Sequence, residues 1–306
     1  MTSSFIGRSA KRRFARTHRR AALTGLAFIA PALLGLLALY IVPLFSTLYT
    51  SFTKTGPFGG NTFTGVDNYG KLFASDDFWI SLRNSAIYTV IVLIGIPFAV
   101  LVATLINQVQ RGRAVYRVLY FLPVVTLPVA IGMVWRFIYN GDFGLLNAFL
   151  SIFGVSGRSW VADASVAIFA VGVVGVWMNI GTNIIILGAG LQGIPKDLIE
   201  ASALDGAGGI RQFRSITLPL LTPSIFFVSI LSVISSLQMF DLIYVMIGRG
   251  SPALHDTQTI VYLFYQKAFI ESNQGFGAAI AIVLLMLIMA VTAIQFRLQR
   301  SWVFYG

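Results

Sequence analysis

Six long apolar runs fix what this chain can fold into. They cover about 23–48, 85–106, 117–139, 165–190, 218–247 and 277–297, and each approaches or exceeds the roughly 20 residues needed to cross a bilayer as a helix. In hydrocarbon every backbone N–H and C=O must be bonded internally, so runs of this kind read as spanning helices. Composition agrees: 57% of the 306 residues are hydrophobic and only 11% are charged, where soluble domains carry about 25%. The expected fold class is all-α, a polytopic membrane protein with six transmembrane helices.

Charge sets the expected orientation. Seven cations, Arg8, Lys11, Arg12, Arg13, Arg16, Arg19 and Arg20, precede the first run. With the N-terminus inside, the cytoplasmic segments also hold Arg111, Arg113, Arg117, Lys196, Arg211, Arg214, Arg297 and Arg300, which makes 15 of the 22 Lys and Arg. The positive-inside rule then places both termini in the cytoplasm. The first run is longer than a signal-peptide core of 7–15 residues, so it reads as an uncleaved span. The basic tail suits anionic lipid. It lacks the aromatic interleaving of a nucleic-acid site, and no nucleic-acid partner is expected. Residues 1–20 form the expected cytoplasmic tail, 21–300 the membrane domain and 301–306 the C-terminal tail.

Composition also excludes chemistry. There is no cysteine and there are only two histidines, His18 and His255, far apart in sequence. A thiolate site, a disulfide framework or a histidine metal cluster is not expected, and no cofactor is. No Gly-x-x-x-x-Gly-Lys-[Ser/Thr] loop is present, so the chain is not expected to hydrolyse ATP itself.

The loop at about 195–217 stands out as long, polar and glycine-rich between two apolar runs. Neighbouring helices in a bundle need only two to eight connecting residues. Pro195 and Asp197 favour a helix start, with Pro at the first helical position and an anion near the N-terminal dipole. Gly206 can take the positive φ that stops the helix, and a second short helix is expected from Ile210, with Ile210, Phe213 and Thr217 on one side. Such an amphipathic pair needs cover for its apolar face. Either it rests on the bundle or lipid interface, or it docks a partner.

The pattern Glu200-Ala201-x-x-x-Asp205-Gly206-Ala207, ending at Leu218-Pro219, resembles the EAA loop of binding-protein-dependent ABC importer permeases. Ser202 stands where that family usually has a second alanine. The likeness extends to Gly112-x-x-x-Tyr116-Arg117, Val66-Asp67-Asn68-Tyr69, Phe240-Asp241-Leu242-Ile243-Tyr244, Gly248-x-Gly250-x-Pro252 and Tyr262-x-x-x-Tyr265-x-x-x-Phe269. It is nearest the carbohydrate-uptake branch, the malF-like and ugpA-like permeases.

The resemblance implies a type I importer permease fold in a prokaryotic cell membrane. It implies a second permease as heterodimer partner, two cytoplasmic ATPase subunits, and an extracytoplasmic solute-binding protein delivering a sugar-like substrate. Glu200, Ala201, Asp205 and Gly206 would form the ATPase-coupling site, with Glu200 docking and Asp205-Gly206 shaping the turn.

Polar residues inside the spans are pathway candidates: Trp177, Asn179, Asn183, Ser232, Ser236 and Gln238. Serine also packs membrane helices and tryptophan marks interfaces, so these residues equally suit structural roles. The spans hold no dense basic cluster, which favours a neutral sugar over glycerol-3-phosphate or another polyol phosphate. Asp241 carries a further alternative, an ion-coupled secondary transporter, or else, near the outer end of its helix, is solvated or pairs with Arg136 or Arg249.

Overall fold

A computed structural model describes residues 24–56, 60–109 and 112–304. The basic tail, the first residues of the first span, Phe58-Gly59 and Arg111 lie outside the described residues. Helix α1 (Thr24–Ser51) leads into a hairpin of β1 (Thr53–Thr55) and β2 (Asn61–Phe63), paired antiparallel with Thr53 opposite Phe63. Then come α2 (Asp67–Ala74), the long α3 (Asp76–Gln108), α4 (Arg113–Val125), α5 (Pro128–Ile138) and α6 (Leu145–Ser151). The chain continues through α7 (Ala167–Gln192), α8 (Lys196–Leu204) and α9 (Gly209–Leu237), and finishes with α10 (Leu254–Thr257), α11 (Ile260–Ile270) and α12 (Gln274–Trp302). The fold is all-α apart from the small hairpin.

Helices α3, α7 and α9 form the centre, and α1 lies against α12 at the periphery with most of its residues exposed. Small residues let the central pair approach closely. A Cβ on Gly95 would come 2.7 Å from Val176 Cγ1, and one on Gly172 would come 2.8 Å from Ile91 Cδ1. In a membrane, where lipid is as apolar as leucine, such close packing is a main source of helix association. One apolar cluster (Val92, Val171, Val174, Ile243, Met246) lies toward the hairpin end of the bundle, and another (Ala99, Leu187, Leu191, Leu221, Val228) toward the α8 end.

The expected third span, 117–139, is not one straight helix. It is broken between α4 and α5 with a bend of 106°. Pro128 has no N–H to donate, and the residue before a proline is pushed out of the helical region. Leu127 accordingly takes φ −60°, ψ 129°. Thr126 Oγ1 donates to the Leu122 carbonyl at 2.8 Å, which satisfies one acceptor near the break. The two halves still cross the bundle together. Tyr120 and Val124 pack against Gly181 and the α8-end cluster, whereas Gly132 lies against Val245 and Met246, and Tyr139 Oη donates to the Ala170 carbonyl at 3.3 Å. A re-entrant loop would return to the end where it began. Counting the bent pair once gives six spans.

The fifth span is shifted from its expected 218–247. It begins at Gly209 and stops at Leu237. Thr259 Oγ1 donates to the Met239 carbonyl at 2.9 Å, so the backbone polar group at the break is bonded from another element. A separate wide turn, Ile243–Ile247, follows and ends at Gly248, whose φ of 72° suits glycine.

Asparagines tie the hairpin end together. Asn68 Nδ2 donates to the carbonyls of Ser51 (2.9 Å) and Thr53 (2.8 Å). Asn84 Nδ2 reaches the carbonyls of Asp256 (2.8 Å) and Gln258 (3.0 Å). The Asp67-Asn68-Tyr69 motif is thus explained locally, since Tyr69 Oη also pairs with Ser51 Oγ at 2.6 Å.

Candidate functional site

Two features at the α8 end define the site. Pro195 caps α8, one position before its first helical residue, and Asp197 occupies the first turn. The helix ends as expected. Asp205 N–H donates to the Ala201 carbonyl at 3.1 Å, Gly206 takes φ 75°, and Ala207 N–H closes onto the Ser202 carbonyl at 2.9 Å. This 6→1 bond with a left-handed glycine is the usual way of satisfying the last carbonyls of a helix.

The expected second short helix is not separate. Residues from Gly209 onward are the first turns of α9, with a wide turn at Phe213–Thr217 where Leu218 N–H bonds the Phe213 carbonyl. Pro219 and Pro223 lie just beyond, and the altered turn accommodates the missing N–H of Pro219. Phe213 packs into the α8-end cluster, so only part of the expected apolar side is left uncovered.

No residue of α8 is buried. Glu200, Ala201, Asp205 and Gly206 are all exposed, and among the described residues no ion pair involves Glu200. Leu198 is exposed as well, Leu204 is 90% exposed and Ile210 79%. Leu204 is the last residue of α8. Its exposure beside a positive-φ glycine is what the structure adds.

The six pathway candidates differ in their surroundings. Trp177 is 37% exposed and lines an apolar groove of about 440 Å³ with Ile94, Phe98 and Ile180, which contains none of the other five. Its ring meets Trp135 edge-on, with centroids 5.9 Å apart. Asn179 is half-buried and donates from Nδ2 to the Gly175 carbonyl at 2.8 Å, while Asn183, one turn on, is buried. Ser232 and Ser236 are buried within the chain, and Ser236 Oγ donates to Thr89 Oγ1 at 3.0 Å. Gln238 is exposed in the break after α9.

At the hairpin end Asp241 is exposed, and among the described residues no ion pair joins it to Arg136 or Arg249. Arg136 Nη1 donates to the Val245 carbonyl at 3.4 Å, and Arg249 Nη2 to Tyr265 Oη at 3.0 Å. Asp163 lies below the usual carboxylate range because Ser165 donates to it from Oγ (2.6 Å) and from its backbone N–H (3.0 Å), with Arg158 adding attraction.

Residues 91–303 match the family of binding-protein-dependent transport system inner membrane components. This chain belongs to that family. The permease is 34% identical over 298 residues to the probable ABC transporter permease protein YesP of Bacillus subtilis (strain 168), covering 95% of this chain and 94% of that one. It is 32% identical over 283 residues to the sn-glycerol-3-phosphate transport system permease protein UgpA of Agrobacterium fabrum, covering 91% and 95%. In fold it is similar to a chain of a bacterial alginate ABC transporter solved with an alginate-bound periplasmic protein. The TM-score is 0.81 at 19% identity, over 94% of this chain and 97% of that one.

The chain is therefore a multi-pass membrane permease of the type I ABC importer fold, a transport subunit and not an enzyme. Permeases of this kind work with an ATPase and a binding protein.

Proposed function

We propose that α8 is the coupling helix through which ATPase subunits drive this permease, and that the conduit carries a sugar or related solute across a prokaryotic cell membrane. The observation that carries the reading is the unburied α8. It presents Glu200 together with uncovered apolar Leu198 and Leu204 at one end of the bundle. Exposed leucines beside an exposed carboxylate suit a protein cleft with a basic group better than they suit water.

The positive-inside bias supports placing that end, and both termini, in the cytoplasm. On this reading residues 1–20 are a cytoplasmic tail, 21–300 the permease domain with its coupling loop at about 195–217, and 301–306 a short C-terminal tail. Two ATPase subunits close on ATP, their clefts carry the coupling helices together, and the conduit opens outward. ATP shifts the equilibrium because it binds one of the two states better. Glu200 and Ala201 contact the cleft, and Asp205-Gly206 set the turn.

A second, different permease completes the pathway, and the open apolar groove that Trp177 lines offers it a surface to pack against. Within the pair, Trp177, Asn179 and Gln238 supply the ring face and amides that a sugar needs, and Asn183, Ser232 and Ser236, buried within the chain, join them only when the helices move apart. The relatives named for sn-glycerol-3-phosphate make a polyol phosphate the second reading. Ion coupling finds less support, because the family is one of binding-protein-dependent transport and Asp241 has no ion-pair partner among the described residues.

The test is uptake by vesicles holding the full complex. Glu200→Ala should weaken ATP-driven uptake or complex recovery, and Glu200→Lys should remove it. Normal assembly and transport in both variants would sink the role given to α8.

A further inference from the structure

At the hairpin end a cavity of about 510 Å³ opens between α5 and the loop that follows the Ile243–Ile247 turn. Arg136 and Arg249, distant in sequence, both line it, together with Asn140, Ser159 and Ser251, and no carboxylate is among its lining residues. Two guanidinium groups facing one cavity without an acid repel each other and attract an anion. Arg136 spends one N–H on the Val245 carbonyl and Arg249 bonds Tyr265 and Tyr262, which leaves donors of the five on each guanidinium. Asp163, in the segment leading away from Ser159, is engaged by Ser165 and Arg158.

Arg249 also sits at the edge of an aromatic cluster. Its guanidinium carbon lies 5.6 Å from the Tyr265 ring centroid. That ring meets Phe240 at 5.0 Å, Tyr244 at 5.6 Å and Phe269 at 5.9 Å, and Phe269 is largely exposed. These rings hold Arg249 from outside the cavity, whose own lining adds the amide of Asn140 and the hydroxyls of Ser159 and Ser251 to the two cations, a set that matches a hydroxylated ligand with a negative group. Arg presents a planar fork that bonds carboxylate or phosphate through two parallel N–H donors.

We propose that the pocket between Arg136 and Arg249 receives the carboxylate or phosphate of an acidic carbohydrate at the mouth of the pathway. This rests on the importer reading above and replaces the neutral sugar favoured by sequence with a charged one.

The test uses the purified complex of this chain with its partner permease and ATPase subunits, in phosphatidylcholine nanodiscs. Galacturonate, glycerol-3-phosphate and neutral galactose are titrated by calorimetry. At least one acidic probe should bind about tenfold or more tightly than galactose, and its affinity should fall with added salt. R136Q/R249Q should weaken acid binding about tenfold or more. R136K/R249K keeps the charge and loses the fork, so it should bind acid more tightly than R136Q/R249Q and more weakly than the wild type, which separates lost charge from lost folding.

Equal binding of acid and galactose, no acid binding, or unchanged acid binding in R136Q/R249Q would overturn the proposal. So would loss of galacturonate and glycerol-3-phosphate binding in discs containing phosphatidylglycerol at matched ionic strength, which would assign the pocket to a lipid headgroup. ATP-driven uptake by the wild-type complex is scored separately. If uptake proves independent of the ATPase, the importer reading fails while the titration still reports on the pocket.

Discussion

Asn147 shows how much one side chain can hold at this end of the molecule. It is buried, its Nδ2 donates to the carbonyls of Asn140 (3.1 Å), Gly141 (3.0 Å) and Arg158 (2.9 Å), and its Oδ1 accepts from Trp160 Nε1 at 2.8 Å. Asn147→Ala leaves the partly buried carbonyls of Asn140 and Gly141 and the Trp160 N–H without this partner, and the loss should cost about 1–3 kcal/mol in all. The variant complex should show a clearly lowered thermal unfolding midpoint, and an unchanged midpoint would contradict this account of the loop. Nothing in the sequence singled out Asn147, because its partners lie on both sides of a glycine turn and a distal tryptophan. Glu200 was legible, since pattern, spacing and charge all sit within one loop. Arg136 and Arg249 were readable only as isolated cations, and in sequence they served merely as partners for Asp241. The structure leaves Asp241 exposed and brings the two arginines to one cavity.

At the scale of elements, hydropathy located all six crossings, because burying backbone in lipid demands long apolar helices whatever the fold. Where helices begin, end and break depends on hydrogen bonds from other elements, which hydropathy does not carry. The fifth span stops at Leu237, where Thr259 reaches the Met239 carbonyl, ten residues before the apolar run ends. Proline at 128 was visible, but a 106° break required the packing of α4 and α5 against different ends of the bundle. Gly181 lets α4 approach α7 closely. A Cβ there would meet the Tyr120 carbonyl oxygen and come 2.6 Å from Val124 Cγ2. Backbone cannot rotate aside, so Gly181→Val should cost about 1–3 kcal/mol through overpacking. Reduced recovery of folded complex in detergent, with Gly188→Val as an open-space control, is the expected result. Equal recovery of the two variants would show that α4 and α7 do not need this approach.

At the scale of the whole molecule, the account is of a half-conduit with a lever at one end and a charged pocket at the other. Its orientation is directly measurable because the chain has no cysteine. Leu204→Cys should react with an impermeant maleimide only from the cytoplasmic side, and Asp142→Cys only from the outside. The reverse pattern would invert the topology and detach α8 from any cytoplasmic ATPase. The most direct test of the central claim is solute uptake by vesicles containing the complete complex and its binding protein, with ATP inside or a proton gradient alone. The account predicts uptake that requires ATP and a working ATPase, and that is lost in Glu200→Lys while the conduit subunit remains folded. Uptake that persists on a proton gradient with a catalytically inactive ATPase, and that ignores Glu200→Lys, would contradict it.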